Sequence, residues 1–256
     1  MKIGFIGCGG IVEAVVTGLV EHGGFQDAIF VSKRSEARST RLAARFKNVS
    51  VLEHNQEIIN EVDVVFLAVL PQKARPLMRE LKFRSGQIVA SMVAAIKLDE
   101  LAELMGSDLS IHRLIPMPPI EIGLGPVPIC PPSAELESLF SAVGTPVPLT
   151  DESSLSSFTC VSSGMACFFE MVAKLAEWSE SQGVDAAAAT TYTTSLFGAL
   201  AGLFKNSDAA TLRGMSEECL TPGGLNEQVL NELREAGWFE TYLSRFDNIR
   251  ARIENM

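Results

Sequence analysis

The chain has 256 residues, enough for one large domain or two modest ones with a sizeable core. Its apolar fraction of 47% and charged fraction of 20% are ordinary for a soluble globular enzyme. The formal net charge of −10 argues against nucleic acid as the main partner, because phosphate binding requires a basic surface. The five scattered cysteines fit neither a secreted disulfide framework nor a metal site.

Targeting and membrane signals are weak in this sequence. A strand begins at Lys2 and leaves no room for a signal peptide, so we expect a cytoplasmic location. Residues 186–204 carry no charge and approach the length of a membrane span. Threonines crowd the middle of this stretch, which favours a buried interface helix, and no membrane partner is expected.

The first 150 residues alternate short β-branched runs with longer amphipathic segments. This alternation is typical of a parallel sheet covered by helices. The predicted strands span 2–6, 28–31, 49–51, 64–67, 88–91, 110–114, 126–130 and 145–149. The predicted helices span 10–23, 35–46, 55–60, 71–82, 97–104 and 134–142.

From about residue 151 the strand pattern ends, and small and apolar residues predict helices alone. The predicted helices span 153–182, 185–205, 207–219 and 226–252, the first and last interrupted. Gly183 is predicted to end one helix, Asp185 to cap the next, and Ser207-Asp208 to start the third. Because an isolated helical domain of this composition would expose apolar surface, we interpret 152–256 as a dimerisation domain and 1–151 as a separate domain. A monomeric helical bundle is the alternative.

The glycine turn Gly7-Cys8-Gly9 follows the first strand and precedes the first helix, the context that gives a glycine pattern meaning. Gly7 permits a tight turn, and Gly9 lets the backbone approach a pyrophosphate that the helix N-terminus binds. Val12 stands where Gly or Ala is usual. A glycine-rich turn of some other α/β protein is the alternative. We predict a Rossmann-type doubly wound domain that binds a dinucleotide through Gly7, Cys8, Gly9, Gly10 and Ile11.

The basic segment Ser32-Lys33-Arg34 follows the second strand, where NAD sites place an acid and NADP sites place an arginine. Arg34 and Ser32 are predicted to hold the 2′-phosphate, with Lys33 adding positive potential. The alternative is a solvated basic helix start. The segment therefore predicts NADPH rather than NADH as the cofactor.

Five groups of residues along the chain form a recognisable series. They are Gly4-Phe5-Ile6-Gly7-Cys8-Gly9, Ala68-Val69-Leu70-Pro71-Gln72, Arg113-Leu114-Ile115-Pro116 with Gly123-Leu124-Gly125, Ser162-Ser163-Gly164-Met165-Ala166, and Leu212-Arg213 with Thr221-Pro222-Gly223-Gly224. Each group is weak alone, but together they are specific. In their order and intervals they resemble the motifs of pyrroline-5-carboxylate reductases, and the resemblance runs nearly from end to end.

The resemblance implies an NAD(P)H-binding Rossmann domain, a helical domain that interleaves with a partner subunit, and reduction of a cyclic imine to proline. It places four residues along the cofactor: Ala68, Val69, Leu70 and Gln72. By the same resemblance, Ser91, Ala94 and Ala95 approach the nicotinamide. The residues expected to contact substrate are Met117, Glu121, Ser163, Gly223, Gly224, Leu225 and Asn226.

The chain departs from the family mainly on the substrate side. Leu70 stands where the family usually has Lys, and Met117-Pro118 stands where it usually has Asn-Thr. Leu225-Asn226 replaces two threonines. A carboxylate requires several donors, each worth about 1–3 kcal/mol when it is left unmatched. The sequence therefore indicates an imine reductase more firmly than a proline-forming enzyme.

Reduction of a protonated imine requires correct positioning near the cofactor and no general acid, which suits a chain without an evident acid–base pair. No catalytic residue or metal site is assigned. The histidines are isolated, and Glu121 either attracts an iminium cation or is a solvated loop acid. Two alternatives remain: a β-hydroxyacid-type dehydrogenase, for which Lys174 is the candidate catalytic lysine, and a non-catalytic NADP(H)-binding regulatory protein.

Overall fold

The structure is a computed structural model that describes residues 1–106, 108–204 and 208–254. Two compact units make up the chain: Met1–Thr159 is the first, and the second begins at Cys160. The boundary predicted from the sequence, between residues 151 and 152, lies eight residues earlier and remains a prediction.

The first unit contains one eight-stranded sheet whose strand order is β3-β2-β1-β4-β5-β6-β7-β8. The strands are β1 (Ile3–Ile6), β2 (Ile29–Ser32), β3 (Val49–Leu52), β4 (Val64–Leu67), β5 (Ile88–Ser91), β6 (Ser110–Leu114), β7 (Pro126–Cys130) and β8 (Thr145–Pro148). All eight predicted strands are confirmed, with small shifts at their ends. β7 pairs with β6 in antiparallel orientation, whereas every other neighbouring pair is parallel.

Six helices cover the sheet: α1 (Gly10–Glu21), α2 (Glu36–Arg45), α3 (Asn55–Glu61), α4 (Pro71–Glu80), α5 (Leu98–Met105) and α6 (Ala134–Ser141). All residues of β1 and β4 are buried, as expected for strands covered on both faces. One core lies on each face of the sheet. Phe5 and Phe66 stack in the first core, and Val65 and Met78 belong to the second.

The second unit is helical. Its helices are α7 (Ser153–Ser162), which starts in the first unit, and α8 (Met165–Ser181), α9 (Ala186–Leu203), α10 (Ala209–Glu218), α11 (Leu225–Glu235) and α12 (Trp238–Glu254). The predicted interruptions of the first and last helices are confirmed. Asp185 and Asp208 cap α9 and α10 by accepting bonds from backbone N–H groups. Ser207, predicted to share the third helix start, lies outside the described residues.

Many large apolar side chains of the second unit are exposed. They include Phe169, Trp178, Tyr192, Leu203, Leu225 and Leu243. Within the described residues, the stretch Ser153–Ser181 is long and apolar enough to cross a membrane by length and composition alone. Core helices of soluble proteins pass the same test, and this stretch is divided between α7 and α8.

Candidate cofactor and active site

The glycine turn requires glycine at its first position. Gly7 has a φ of 101°, in the region that L side chains rarely adopt. A Cβ added there would lie 2.2 Å from the carbonyl oxygen of Ala68, which follows β4. The Gly7 N–H also donates to the buried Ser32 Oγ at 2.9 Å. The turn is therefore fixed by β1, β2 and β4 together.

Open space surrounds the next two glycines. A Cβ added at Gly9 or Gly10 would meet nothing within 4 Å. Gly9 is the N-cap of α1, and no side chain caps the helix there. The first N–H groups of a helix have no partner within it and attract anions. This end of α1 is thus suited to a pyrophosphate.

The residues between and after the glycines are turned toward the core. Cys8 is buried, and its burial, followed by the charge of Glu13, raises the pKa of its thiol to about 11. Ile11 is half-buried, and Val12 is fully buried in the same core. The predicted cofactor contact of Cys8 therefore falls to its backbone, and the core accommodates the valine at the third position.

The three residues of the basic segment Ser32-Lys33-Arg34 differ in their contacts. The Ser32 hydroxyl oxygen accepts the Gly7 N–H, as described. Lys33 Nζ lies 2.8 Å from Glu53 Oε1, and this hydrogen bond raises the pKa of Lys33. Arg34 is exposed and takes part in no ion pair within the described ranges. Of the two cations in the segment, Arg34 is therefore the one without an ion-pair partner among the described residues, and its contact with a phosphate remains a prediction.

Two further arginines face this region, and the sequence interpretation did not include them. Arg38 Nε lies 3.4 Å from Glu13 Oε2, and Arg41 Nη2 lies 2.5 Å from Glu13 Oε1. Ser35 precedes α2 in the left-handed conformation, with φ 65° and ψ 53°. A non-glycine residue in this conformation is uncommon and often marks a functional turn. The three-residue spacing of Arg38 and Arg41 on one helical face was the available signal.

The segment after β4 lies beside the glycine turn. Ala68 and Val69 are half-buried, and Ala68 touches Gly7. Leu70 is 66% exposed and precedes α4, which begins at Pro71 as expected. Gln72 is also exposed. This geometry suits the predicted cofactor contacts of the segment, which remain predictions.

The loop after β5, residues 92–97, carries the residues predicted near the nicotinamide. Met92 N donates to Leu67 O at 2.9 Å, which holds the start of the loop at the end of β4. Ser91 is buried, whereas the Ala94 side chain is exposed. The Ala94 carbonyl oxygen accepts a hydrogen bond from Arg113 Nη2 at 2.6 Å.

Glu121 lies away from the glycine turn. It lies in a short 3₁₀ turn, Pro118–Ile122, whose backbone meets α1 at Gly18. Gly18 is eight residues beyond Gly10, which is about 12 Å along a helix. Glu121 is therefore at the far end of α1 from the glycine turn, and it is exposed. This position favours the solvated acid, and the predicted substrate contacts of Glu121 and the half-buried Met117 remain predictions.

In the second unit, the predicted substrate residues make local contacts. Ser163 Oγ donates to Cys160 O, three residues earlier in the chain, at 2.6 Å. At the start of α11, Gly223 N donates to Glu227 Oε2 at 2.7 Å, and Asn226 Nδ2 donates to Cys219 O at 3.1 Å. Gly224 is the N-cap of α11, and Leu225 is 82% exposed. Their roles toward substrate remain predictions.

Two known families match different parts of the chain. Residues 2–95 match the family described as NADP oxidoreductase, coenzyme F420-dependent. Residues 152–256 match the pyrroline-5-carboxylate reductase dimerisation family. The pyrroline-5-carboxylate reductase of Vibrio alginolyticus is 26% identical over 100% of this chain and 97% of its own length. That of Arabidopsis thaliana is 28% identical over 95% of this chain and 91% of its own.

Solved structures agree with these relatives. The 1-pyrroline-5-carboxylate reductase of Streptococcus pyogenes has a TM-score of 0.84 and 26% identity, covering 100% of this chain and 99% of its own. Along its whole length the chain is similar to pyrroline-5-carboxylate reductases, and its residues 152–256 belong to their dimerisation family. A reductive aminase of Aspergillus terreus has a TM-score of 0.59 at 15% identity over 99% of this chain and 94% of its own, and shares the fold.

The match of residues 152–256 identifies the helical unit as a dimerisation domain. This agrees with its exposed apolar side chains, which lie on helices that cannot bury them alone. The Rossmann-type sheet and the all-α domain predicted from the sequence are both confirmed.

Proposed function

We propose that the chain is an NADPH-dependent reductase of a C=N bond, which converts pyrroline-5-carboxylate to proline or reduces a related imine. The observation that carries this proposal is the glycine turn, held by Ser32 and Ala68 and open at Gly9 and Gly10. Similarity to pyrroline-5-carboxylate reductases along the whole chain supports it. The chain also shares the fold of a Plasmodium falciparum pyrroline carboxylate reductase with NADP bound, at a TM-score of 0.84.

The residues present fit a dinucleotide. The N-terminal amides of α1 would hold the pyrophosphate, because neither Gly9 nor Gly10 obstructs their approach. Arg34 would hold a 2′-phosphate, with Ser35 in its left-handed turn beside it. When bound, the reduced nicotinamide supplies a hydride.

The protein's own contribution to the chemistry is positioning. A protonated imine already carries an electrophilic carbon and the nitrogen proton of the product amine. It therefore requires no general acid from the protein. Holding this carbon close to the cofactor provides most of the rate enhancement.

We infer that NADPH is preferred over NADH because Arg34 is unpaired and no acid follows β2 directly. Arg34→Ala is expected to raise the Kd for NADPH by about 10- to 100-fold and leave that for NADH unchanged, since a charge-assisted bond contributes roughly 1.5–3 kcal/mol. Lys33→Ala is the matched control, because Lys33 is already paired with Glu53. A full NADPH preference in Arg34→Ala would refute this assignment.

We propose that the second unit associates as a homodimer. Phe169, Trp178 and Tyr192 expose 68%, 64% and 72% of their areas, and aromatic residues of this kind are common anchors of protein interfaces. The family of residues 152–256 is a dimerisation family.

The dehydrogenase alternative loses support in the structure. Lys174 is exposed and lies 2.7 Å from Glu177 and 3.9 Å from Glu170. The Glu177 hydrogen bond raises the pKa of Lys174, whereas a lysine acting as a base requires a lowered pKa. The non-catalytic alternative keeps some support, because Leu225 is exposed and the Asn226 amide is bound to Cys219 O.

One experiment tests the proposal directly. Purified protein is mixed with NADPH and a panel of pyrroline carboxylates, other cyclic imines, linear imines and keto acids, and cofactor oxidation is followed. We expect oxidation with at least one imine. Tight NADPH binding without turnover on any compound would contradict the proposal and favour the regulatory alternative.

A further inference from the structure

An ion pair between Arg113 and Glu152 joins three segments of the first unit. Arg113, the fourth residue of β6, is 7% exposed, and its Nη1 lies 2.5 Å from Glu152 Oε1. The same carboxylate oxygen accepts the backbone N–H of Leu98 at 2.8 Å, at the start of α5. The other arm of the guanidinium, Nη2, donates to the Ala94 carbonyl oxygen at 2.6 Å.

These contacts hold one loop of the first unit in place. Residues 92–97 leave β5 and enter α5. Arg113 binds the middle of this loop at Ala94. Glu152 binds the backbone N–H of Leu98, the first residue of α5, directly after the loop. The start of the loop is bound to β4 through Met92 and Leu67. The loop is thus held at its start, its middle and its end.

The loop lies at the edge of the sheet where a dinucleotide binds in this type of fold. β1, β4, β5 and β6 are parallel, so the segments that follow them share one edge. Ser91 pairs with Arg113 in the sheet register, which places the arginine beside the first residues of the loop. Ala68, at the end of β4, touches Gly7 of the glycine turn.

Burial distinguishes this ion pair from a surface pair. Arg113 and Glu152 expose 8% and 24% of their side chains. Removing one partner of a buried pair leaves a charge without compensation, so such a pair is costly to disturb. The planar guanidinium serves two acceptors at fixed angles, which a lysine ammonium cannot reproduce.

We propose that Arg113 and Glu152 are positioning residues for hydride transfer. They fix the position of the loop of residues 92–97, here called the Ala94 loop, relative to the nicotinamide ring. This inference rests on the proposed function. Neither side chain touches the reacting atoms, and both act through the backbone of residues 92–97. Cofactor affinity arises mainly from the glycine turn and Arg34, so the pair sets the rate of transfer rather than the strength of binding.

The chain contains a matched control pair. Arg75 and Glu100 join α4 to α5 through two hydrogen bonds, and their side chains are 43% and 35% exposed. Glu100 lies two residues beyond Leu98 on α5. This pair has the same chemistry and lies close in sequence, but it makes no bond to the backbone of the Ala94 loop.

The test compares Glu152→Gln and Arg113→Lys with Glu100→Gln in the full chain. A displacement of the reacting groups by about 1 Å can cost ~100-fold in rate. We therefore expect Glu152→Gln and Arg113→Lys each to lower kcat by roughly 10- to 100-fold. The Kd for NADPH should stay within about 3-fold, and Glu100→Gln should leave kcat within about 2-fold, as expected for an exposed pair.

The fluorescence of bound NADPH gives a second measurement that does not depend on turnover. We expect its emission maximum and polarisation to change in Glu152→Gln and Arg113→Lys, because the ring environment changes, and to stay constant in Glu100→Gln. Unaltered kcat and unaltered emission in correctly folded Glu152→Gln and Arg113→Lys would overturn the inference. So would a parallel loss of kcat, NADPH affinity and thermal stability, which indicates a general structural role.

The two hypotheses fail differently. If the wild-type protein binds NADPH but reduces no imine, the proposed function fails, and the emission comparison still decides whether the pair positions the nicotinamide. If the wild-type protein reduces an imine and Glu152→Gln and Arg113→Lys have the same kcat and emission as the wild type, only the positioning role fails.

Discussion

The two units of the chain bury their side chains very differently. In the first unit, β1 and β4 are completely buried, and a core lies on each face of the sheet. Among the described residues after Thr159, only Cys160, Ala189 and Thr193 are buried. The first unit completes its own core, whereas the second leaves apolar faces that require a partner.

This difference separates what each unit does. The glycine turn, Arg34 and the Ala94 loop belong to a sheet that holds them in place without help. The segment at the start of α11 belongs to a unit whose final environment includes another subunit, if the proposed dimer forms. Substitutions should therefore act on folding and cofactor binding in the first unit and on assembly in the second.

The largest effect is expected at Gly7. Gly7→Val combines a φ of 101° with a Cβ 2.2 Å from the Ala68 carbonyl oxygen, so it should lower the free energy of unfolding by at least about 3 kcal/mol. Urea unfolding measures this loss. Gly10→Ala is the control, with open space around it and an expected change below about 1 kcal/mol. Equal stability of the two variants would refute the close contact of Gly7, after β1, with Ala68, after β4.

A charge on the exposed face of the second unit should affect assembly instead. Phe169→Asp is expected to weaken self-association by about 30-fold or more, as loss of an aromatic anchor does, without altering NADPH affinity. Light scattering after gel filtration measures the mass. Ile122→Asp is the control, since Ile122 is similarly exposed, at 61%, but lies in the first unit. The proposed interface would be wrong if both variants gave the mass of the wild type.

Cys8 gives a predicted effect that is confined to alkaline pH, a dependence of stability on pH. Burial raises the pKa of its thiol from 9.0 to about 11, so the folded state favours the neutral form. The resulting stabilisation is complete below pH 9 and is lost as the pH rises toward 11. It amounts to roughly 3 kcal/mol at most. Cys8→Ala should remove this part of the decline, measured by urea unfolding across that range, and an identical decline in both proteins would contradict the burial of the thiol.

The sequence predicted the sheet and the cofactor turn because their signals are local. β-branched runs, the position of Gly7-Cys8-Gly9 and the caps at Asp185 and Asp208 depend on neighbouring residues alone. Contacts between distant residues could not be predicted in this way. Glu152 lies 39 residues from Arg113, and nothing near either residue indicates the pair.

Chain direction explains where Glu121 lies. The 3₁₀ turn Pro118–Ile122 runs along α1 before β7 returns antiparallel to β6, and this path carries Glu121 away from the glycine turn. Proline spacing predicts irregular backbone in this connection but not its direction. The contacts of Lys33 with Glu53 and of Asn226 with Cys219 were also beyond the reach of local patterns.

Transfer of deuterium from the cofactor tests the central claim most directly. NADPH deuterated at the transferred position of the nicotinamide is incubated with the protein and pyrroline-5-carboxylate or the best imine of the panel, and the product is examined by mass spectrometry and NMR. The account predicts an amine that carries deuterium at the former imine carbon, in stoichiometric proportion to the cofactor oxidised. Cofactor that stays bound and unoxidised, or product without the label, would contradict it.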